Sequence, residues 1–107
     1  MKDKLETIKN SIVSIKKKYY EEGFEIVGIF GSYAKGTASR YSDVDISYTL
    51  DLDIFDKKYQ GGFSKLLRID KIKIELQRLL GMKVDLVSLD TKNVSMKQNI
   101  EKDILYV

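Results

Sequence analysis

Four residue types are missing from this 107-residue sequence, which contains no His, Cys, Pro or Trp. Without Cys there is no disulfide, no thiolate nucleophile and no cysteine-ligated metal site. Without His there is no serine-protease-type triad, no imidazole base and no ordinary zinc site. Catalysis by this chain would therefore depend on carboxylates, hydroxyls, Lys or Arg, backbone amides and a hard metal ion such as Mg²⁺ or Mn²⁺.

Long apolar segments are missing as well. The apolar run at residues 26–30 is far too short to cross a bilayer, and the charged N-terminus leads into a helical pattern instead of a signal sequence. We therefore expect a cytoplasmic protein with no membrane contact. A chain of this length is also expected to form a single domain with one core, over residues 1–107.

Charge is distributed unevenly, although the formal net charge is only +3. Residues 21–56 carry eight acidic and two basic residues, whereas residues 1–20 and 57–83 are strongly basic. The basic segments are interpreted first as solvated helix faces, with a phosphate-attracting or partner-facing surface as the alternative. So small a net charge does not predict direct binding to nucleic acid.

The spacing of apolar residues predicts three long helices, at residues 3–21, from residue 63 to about residue 80, and at residues 93–105. A short helix is expected to end near Lys35. The segment between residue 50 and residue 63 is expected to be a polar loop. The positions expected to face the core from the last two long helices are Leu66, Ile69, Ile72, Leu76, Leu79, Val94, Ile100 and Ile104.

Three β-strands are predicted between these helices. Phe24–Phe30 is a dense apolar run bounded by glycines, which indicates a buried strand. Val44–Leu50 alternates apolar and polar residues, as a half-buried strand does, and Val84–Leu89 is a third, short strand. Helices and strands that alternate in this way are typical of a small α/β domain in which helices cover a short sheet.

A Gly-Ser pair, Gly31 and Ser32, comes directly after the first strand and before the short helix. Glycine lets the backbone approach a ligand closely, and Ser32 can offer its hydroxyl and amide at the start of a helix, where phosphates bind. By itself, however, such a pair is more often an ordinary turn than a phosphate site.

Three carboxylates follow on the second and third strands. Asp43 and Asp45 are two residues apart, so their side chains point to one face, where they repel each other unless a cation lies between them. Asp85 would join that face if its strand pairs beside the second one. The alternatives are acids that splay into water and, for Asp85, a charge that protects an edge strand. Together with the Gly-Ser turn, the acids favour a site for metal-assisted phosphoryl transfer.

The spacing of these residues resembles a known signature. The string Gly31–Gly36, followed after five residues by Ser42–Ile46, closely resembles the signature of nucleotidyltransferases of the DNA polymerase β superfamily. Asp85 has the place of that family's third acid on a following strand. In its length, and in the helix after the Asp85 strand, the chain is similar to the minimal nucleotidyltransferases, which are paired with a helical HEPN-domain partner.

The resemblance implies a nucleotidyltransferase fold, an α/β (α+β) arrangement with a small mixed β-sheet flanked by helices. It also implies ATP as substrate and Mg²⁺ or Mn²⁺ as cofactor. The residues that it assigns to nucleotide and phosphate binding are Gly31, Ser32, Lys35, Arg40 and Ser42, and those that it assigns to catalysis and metal binding are Asp43, Asp45 and Asp85.

By the same resemblance, the chain would transfer AMP from ATP to a tyrosine of a HEPN ribonuclease toxin, by two-metal in-line phosphoryl transfer, and so silence the toxin. Two other functions stay open: an antitoxin that neutralises its partner by binding alone, and a nucleotidyltransferase that acts on a small molecule. Lys35 stands where many relatives have Arg, which keeps the charge but loses the bidentate fork. The open faces of so small a sheet favour a complex with a second copy or a partner.

Overall fold

Nine elements of secondary structure are found in residues 2–107, the part of the chain that the computed structural model describes, with side chains described from residue 4 onward. None of the helices in this part of the chain has the length and hydropathy needed to cross a bilayer. In chain order the elements are α1 (Lys2–Tyr20), β1 (Phe24–Phe30), α2 (Ser32–Lys35), β2 (Val44–Leu50), α3 (Leu52–Lys58), α4 (Gly62–Leu80), β3 (Val84–Ser88), α5 (Val94–Asp103) and β4 (Leu105–Tyr106).

The strands form one sheet in the order β3-β2-β1-β4. β1 is antiparallel to β2 and β4, whereas β2 and β3 are parallel, so the sheet is mixed, as predicted. Because β1 runs against β2 and β3, its C-terminal end lies at the same edge of the sheet as their N-terminal ends. We call this the upper edge; there Phe30 is paired with Asp45, and Asp45 with Asp85.

The core joins the sheet to the two long helices α1 and α4. α1 contacts β1, and α4 contacts β3, and large side chains of both helices are fully buried together with those of the strands. Burial of each such side chain contributes about 1.5–3 kcal/mol, so the packing holds the strands of the upper edge in place. The fully buried residues include Ile12, Tyr19, Phe24, Ile26, Ile29, Ile46, Ile72 and Leu76.

The segment after β2 forms helix α3, so the prediction of a polar loop is wrong there. The side chain of Asp51 accepts a hydrogen bond from the N–H of Asp53 at 3.1 Å and so caps the helix. Phe55 is fully buried, and its ring centre lies 4.9 Å from that of Tyr59. A seven-residue helix with one buried anchor is too short to produce a recognisable apolar period.

Residues 105 and 106 form a short strand, so the helix predicted to run to residue 105 ends earlier, at Asp103. The strand β4 pairs with β1 opposite Gly28. This pairing needs a glycine, because a Cβ on Gly28 would lie 2.5 Å from the carbonyl oxygen of Leu105. A two-residue strand leaves no periodic pattern by which it could be predicted.

Three of the residues expected to face the core are exposed instead. Leu66 is 68% exposed because Arg68 turns inward on α4 to pair with Glu22, and helix residues two apart point in nearly opposite directions. Leu79 and Val94 are exposed at the ends of their helices. The residues that are buried as predicted are Ile72, Leu76 and Ile100.

Candidate active site

Two of the candidate carboxylates lie side by side at the upper edge. The parallel register of β2 and β3 places Asp45 opposite Asp85, and neighbouring strands are about 4.8 Å apart. Asp43 comes directly before β2 and is exposed. The third strand therefore pairs beside the second. The predicted grouping of Asp85 with the other two acids required this pairing.

The three carboxylates act on one another electrostatically. Burial, together with the negative charges of Asp85 and Asp43, raises the pKa of Asp45 above its ordinary value. Among the described residues, no Lys or Arg forms an ion pair with any of these acids. The protein therefore does not relieve their mutual repulsion, and a bound cation would.

The turn at Gly31 lies directly against Asp45. Gly31 has φ 74° and ψ −149°, a backbone conformation that is essentially restricted to glycine. A Cβ at this position would also overlap the Oδ2 atom of Asp45. Ser32 begins α2, and its hydroxyl makes no hydrogen bond to a described residue. The glycine therefore lets the Asp45 carboxylate approach the start of α2, so the predicted phosphate-binding turn adjoins the predicted metal ligands.

The donor set suits a hard divalent cation. Mg²⁺ and Mn²⁺ prefer oxygen ligands, and Mg²⁺ in proteins usually keeps waters or substrate phosphates among them. In the part of the chain that the structure describes, no three acidic side chains already stand at metal-ligand spacing. Asp43, Asp45 and Asp85 therefore form no closed, all-protein cage, and a cation held by them would need further ligands from outside the chain.

Lys35 lies in a cleft between α2 and α5. The cleft, of about 430 Å³, also contains Gly31, so this predicted phosphate contact is next to the glycine turn. However, the ammonium group of Lys35 is 3.8 Å from a carboxylate oxygen of Asp103 on α5. Reasoning from the sequence misses Asp103, because it is far from Lys35 along the chain and no local pattern joins the two.

Arg40 and Ser42 belong to the turn Ser39–Ser42 that precedes the acids. Ser42 Oγ accepts a hydrogen bond from the N–H of Ser39 at 2.9 Å, which holds the turn together. The guanidinium group of Arg40 lies 5.2 Å from the centre of the Tyr41 ring. Arg40 lines a second cavity with Tyr33, separate from the cleft that contains Lys35. A phosphate contact by either Arg40 or Ser42 stays a prediction.

The kind of domain is decided by its similarity to known proteins. A family model described as "Nucleotidyltransferase domain" matches residues 6–107. The chain belongs to this family. This nucleotidyltransferase is 32% identical over 104 residues to the "Protein adenylyltransferase MntA" of Thermococcus cleftensis, a match that covers 96% of this chain and 95% of the relative.

Two solved structures share the fold of this nucleotidyltransferase. A minimal nucleotidyltransferase superposes with a TM-score of 0.72 at 24% identity, over 96% of this chain and 95% of that chain. A structure described as a toxin-antitoxin with AMP-PNP superposes with a TM-score of 0.65 at 22% identity, over 91% of this chain and 69% of that chain. At these identities the likeness concerns the fold alone, and the predicted nucleotidyltransferase fold is confirmed.

Proposed function

We propose that this nucleotidyltransferase is a cytoplasmic antitoxin enzyme, which transfers AMP from ATP to a tyrosine hydroxyl of a HEPN ribonuclease toxin. Two similarities support the proposal. The Thermococcus cleftensis relative is named a protein adenylyltransferase, and one structural neighbour is described as a toxin-antitoxin with AMP-PNP, an analogue of ATP. The observation that carries the proposal is the placement of Asp45 beside Asp85 and against Gly31.

In this proposal the three carboxylates hold Mg²⁺ together with the phosphates of ATP. When bound, the metal supplies charge neutralisation at the attacking and leaving oxygens of an in-line displacement. Asp45 is the central ligand, because it lies opposite Asp85 on the neighbouring strand and two residues from Asp43. The repulsion among the three acids in the free protein favours a cation at this position.

Gly31 and Ser32 hold the β- and γ-phosphates in the proposal, through backbone amides and the Ser32 hydroxyl. Lys35 supports them by exchanging its partner Asp103 for a phosphate. This exchange is easy because the ion pair is long, at 3.8 Å, and both side chains are partly exposed; ion pairs of this kind contribute little to stability. The cleft beside Gly31 thus offers a positive charge to the end of the triphosphate.

The transfer joins the tyrosine oxygen to the α-phosphorus of ATP. The bond from the α-phosphorus to the oxygen that bridges to the β-phosphorus breaks, and pyrophosphate leaves. Asp85 is exposed on the outermost strand of the sheet, so it can position the incoming hydroxyl and accept its proton. None of these roles needs an imidazole or a thiol, which agrees with the composition.

The test is transfer to the cognate toxin, followed by intact mass spectrometry after incubation with ATP and Mg²⁺. The toxin should gain adenylyl groups on a tyrosine, and Asp43→Ala should abolish both this gain and neutralisation. Asp70→Ala changes an exposed acid on α4 and should leave both intact. A verified toxin that gains no mass would contradict the proposal, and neutralisation that survives Asp43→Ala would instead favour an antitoxin that acts by binding alone.

A further inference from the structure

Most of the seven tyrosines of this chain are unsuited to be acceptors of AMP. Tyr19, Tyr33 and Tyr48 are buried. The hydroxyl of Tyr59 donates a hydrogen bond to Glu22. Three of these side chains are thus shielded from solvent, and the hydroxyl of the fourth is already held by a carboxylate.

Two further tyrosines are exposed but lie elsewhere in the fold. Tyr20 is 59% exposed at the end of α1, close to the start of β1 and thus at the opposite edge of the sheet. Tyr106 is 66% exposed and lies in β4, which is separated from the Asp85 strand by β1 and β2. Neither residue adjoins one of the three carboxylates along the chain or in the strand pairing.

Tyr41 differs from all of these. It is 82% exposed, and it precedes Asp43 by two residues, so that their Cα atoms are at most about 7.6 Å apart. The Tyr41 N–H donates to Ser39 Oγ at 3.2 Å, whereas its hydroxyl makes no hydrogen bond to a described residue. The side chain is therefore anchored at its backbone and free at its reactive end, beside a predicted metal ligand.

The charge around Tyr41 also suits a nucleotide. The guanidinium group of Arg40 lies 5.2 Å from the centre of the Tyr41 ring, so a positive charge lies next to the phenol ring. A cation there attracts the triphosphate to this turn. The turn thus presents an acceptor hydroxyl and a phosphate-attracting group together.

We propose that Tyr41 is an acceptor for the chain's own reaction, so that the protein adenylylates itself at this residue when no toxin competes. This inference rests on the proposed function. The phenolic oxygen of Tyr41 bonds to the α-phosphorus of ATP, the bond to the bridging oxygen of the β-phosphate breaks, and pyrophosphate leaves. The phenolic proton passes to Asp85 or to water. The attached AMP then lies next to Asp43 and obstructs the approach of another acceptor.

The first experiment is incubation of the purified chain with ATP and Mg²⁺ without toxin, followed by digestion and tandem mass spectrometry. AMP is expected on Tyr41, with loss of the label in Tyr41→Phe and retention in Tyr106→Phe. A label elsewhere, or an unchanged label in Tyr41→Phe, would overturn the inference. Toxin that is labelled while the chain is not contradicts this inference alone, whereas no label on either protein contradicts the proposed function as well.

A second experiment tests the placement of Tyr41 without turnover. Mg²⁺ with α,β-methylene-ATP, which cannot release pyrophosphate, is titrated into the chain while tyrosine ring resonances are followed by NMR. The ring signals of Tyr41, assigned by comparison with Tyr41→Phe, should shift, and those of Tyr106 should not. Unchanged Tyr41 signals at saturation would overturn the inference, because the nucleotide would then lie out of reach of the ring.

Discussion

Asp45 is held in a position that is unfavourable for an ionised carboxylate. It is half-buried, it faces Asp85 across the strand pair, and it lies against the backbone of Gly31. Burial and like charges both oppose its ionisation, and no described basic side chain pairs with it. Stability alone would favour a neutral residue here, so the acid is better explained by a ligand that carries positive charge.

The contact between Gly31 and Asp45 predicts that Gly31→Ala harms the site as well as the fold. The positive φ should cost about 1–3 kcal/mol of unfolding free energy, and the added Cβ should displace the Asp45 carboxylate. Gly61→Ala is the matched control, because Gly61 has φ 86° and ψ 147° and no heavy atom within 4 Å of an added Cβ. Urea unfolding and AMP transfer measure the two effects.

Both glycine variants should lose stability, but only Gly31→Ala should lose AMP transfer, by more than its loss of folded protein explains. Equal transfer by the two variants would show that the contact with Asp45 is not needed.

Removal of the central charge should stabilise the metal-free protein. In EDTA at pH 7, Asp45→Asn is expected to melt at the same temperature as the unchanged chain or higher, because it relieves the repulsion with Asp43 and Asp85. The raised pKa of Asp45 means that its ionisation opposes folding above the ordinary value of 3.8. The advantage of Asn should therefore shrink as the pH falls through the raised pKa of Asp45 and be lost below 3.8.

Thermal melts at several pH values measure this difference, with Asp70→Asn on α4 as the exposed control. If Asp45→Asn unfolds the protein in EDTA, the carboxylate has a structural role and its assignment to metal binding is wrong.

The placement of single site residues could be predicted only where local geometry decides it. The two-residue spacing of Asp43 and Asp45, and the Gly-Ser pair after a strand, follow from the chain itself. The predicted position of Asp85 depended on a pairing of the second and third strands that the sequence alone does not establish, and the structure shows this pairing. The ion pair of Lys35 with Asp103 could not be foreseen, because it joins side chains of two separate helices.

At the scale of whole elements, long amphipathic helices and continuous strands were predictable, and short elements were not. The strands Phe24–Phe30 and Val44–Leu50 have the bounds that their apolar patterns predict. The helix α3 and the strand β4 are too short for a periodic signal, and tertiary contacts hold them. The exposure of Leu66 has a similar origin, because a buried polar network takes the inward side of α4 at Arg68.

This network joins α4 to the end of α1, to the turn that follows α1 and to Tyr59 after α3. Arg68 pairs with Glu22 at 2.8 Å and with Glu75 at 3.5 Å, and the Tyr19 hydroxyl donates to Glu75 at 2.7 Å. Against the opposing effect of burial, hydrogen bonds from Arg68 and Tyr59 lower the pKa of Glu22. The hydrogen bond from Tyr19 is the main cause that lowers the pKa of Glu75. The network therefore stabilises the fold while both acids are ionised.

Arg68→Met should cost about 3–5 kcal/mol at pH 7, because it leaves two partly buried carboxylates without their cation. Lys65→Met is the control: its pair with Asp56 is partly exposed and should contribute less than about 1 kcal/mol. The stabilisation from Glu22 and Glu75 is present above their ordinary pKa of 4.5 and is lost as the pH falls through their lowered values. The difference in unfolding free energy between Arg68→Met and the unchanged chain should therefore become smaller at acidic pH.

Urea unfolding at pH 7 and at pH values below 4.5 measures this change. A cost for Arg68→Met that is the same at every pH would show that Arg68 acts by packing and not by charge.

Across the whole molecule, the small net charge hides a difference between acidic residues that are paired with bases and acidic residues that are not. Two bases of the basic segment 57–83, Lys65 and Arg68, pair with acids of the acidic segment 21–56. The acids of the upper edge have no such partner among the described residues. The fold thus neutralises part of its acidic segment and leaves the carboxylates beside Gly31 available to an external cation.

A ligand that binds only the folded chain should therefore stabilise the entire domain. Mg²⁺ with α,β-methylene-ATP at about 100 times its Kd should contribute about 2.7 kcal/mol, which for a domain of this size raises Tm by about 10 °C or more. Asp45→Asn should abolish this rise, and Asp70→Asn should keep it. Thermal melts with metal alone, nucleotide alone and both together measure the effect. If Asp45→Asn shows the full rise, the nucleotide is bound elsewhere, because the acid that the other two carboxylates surround would then play no part in holding it.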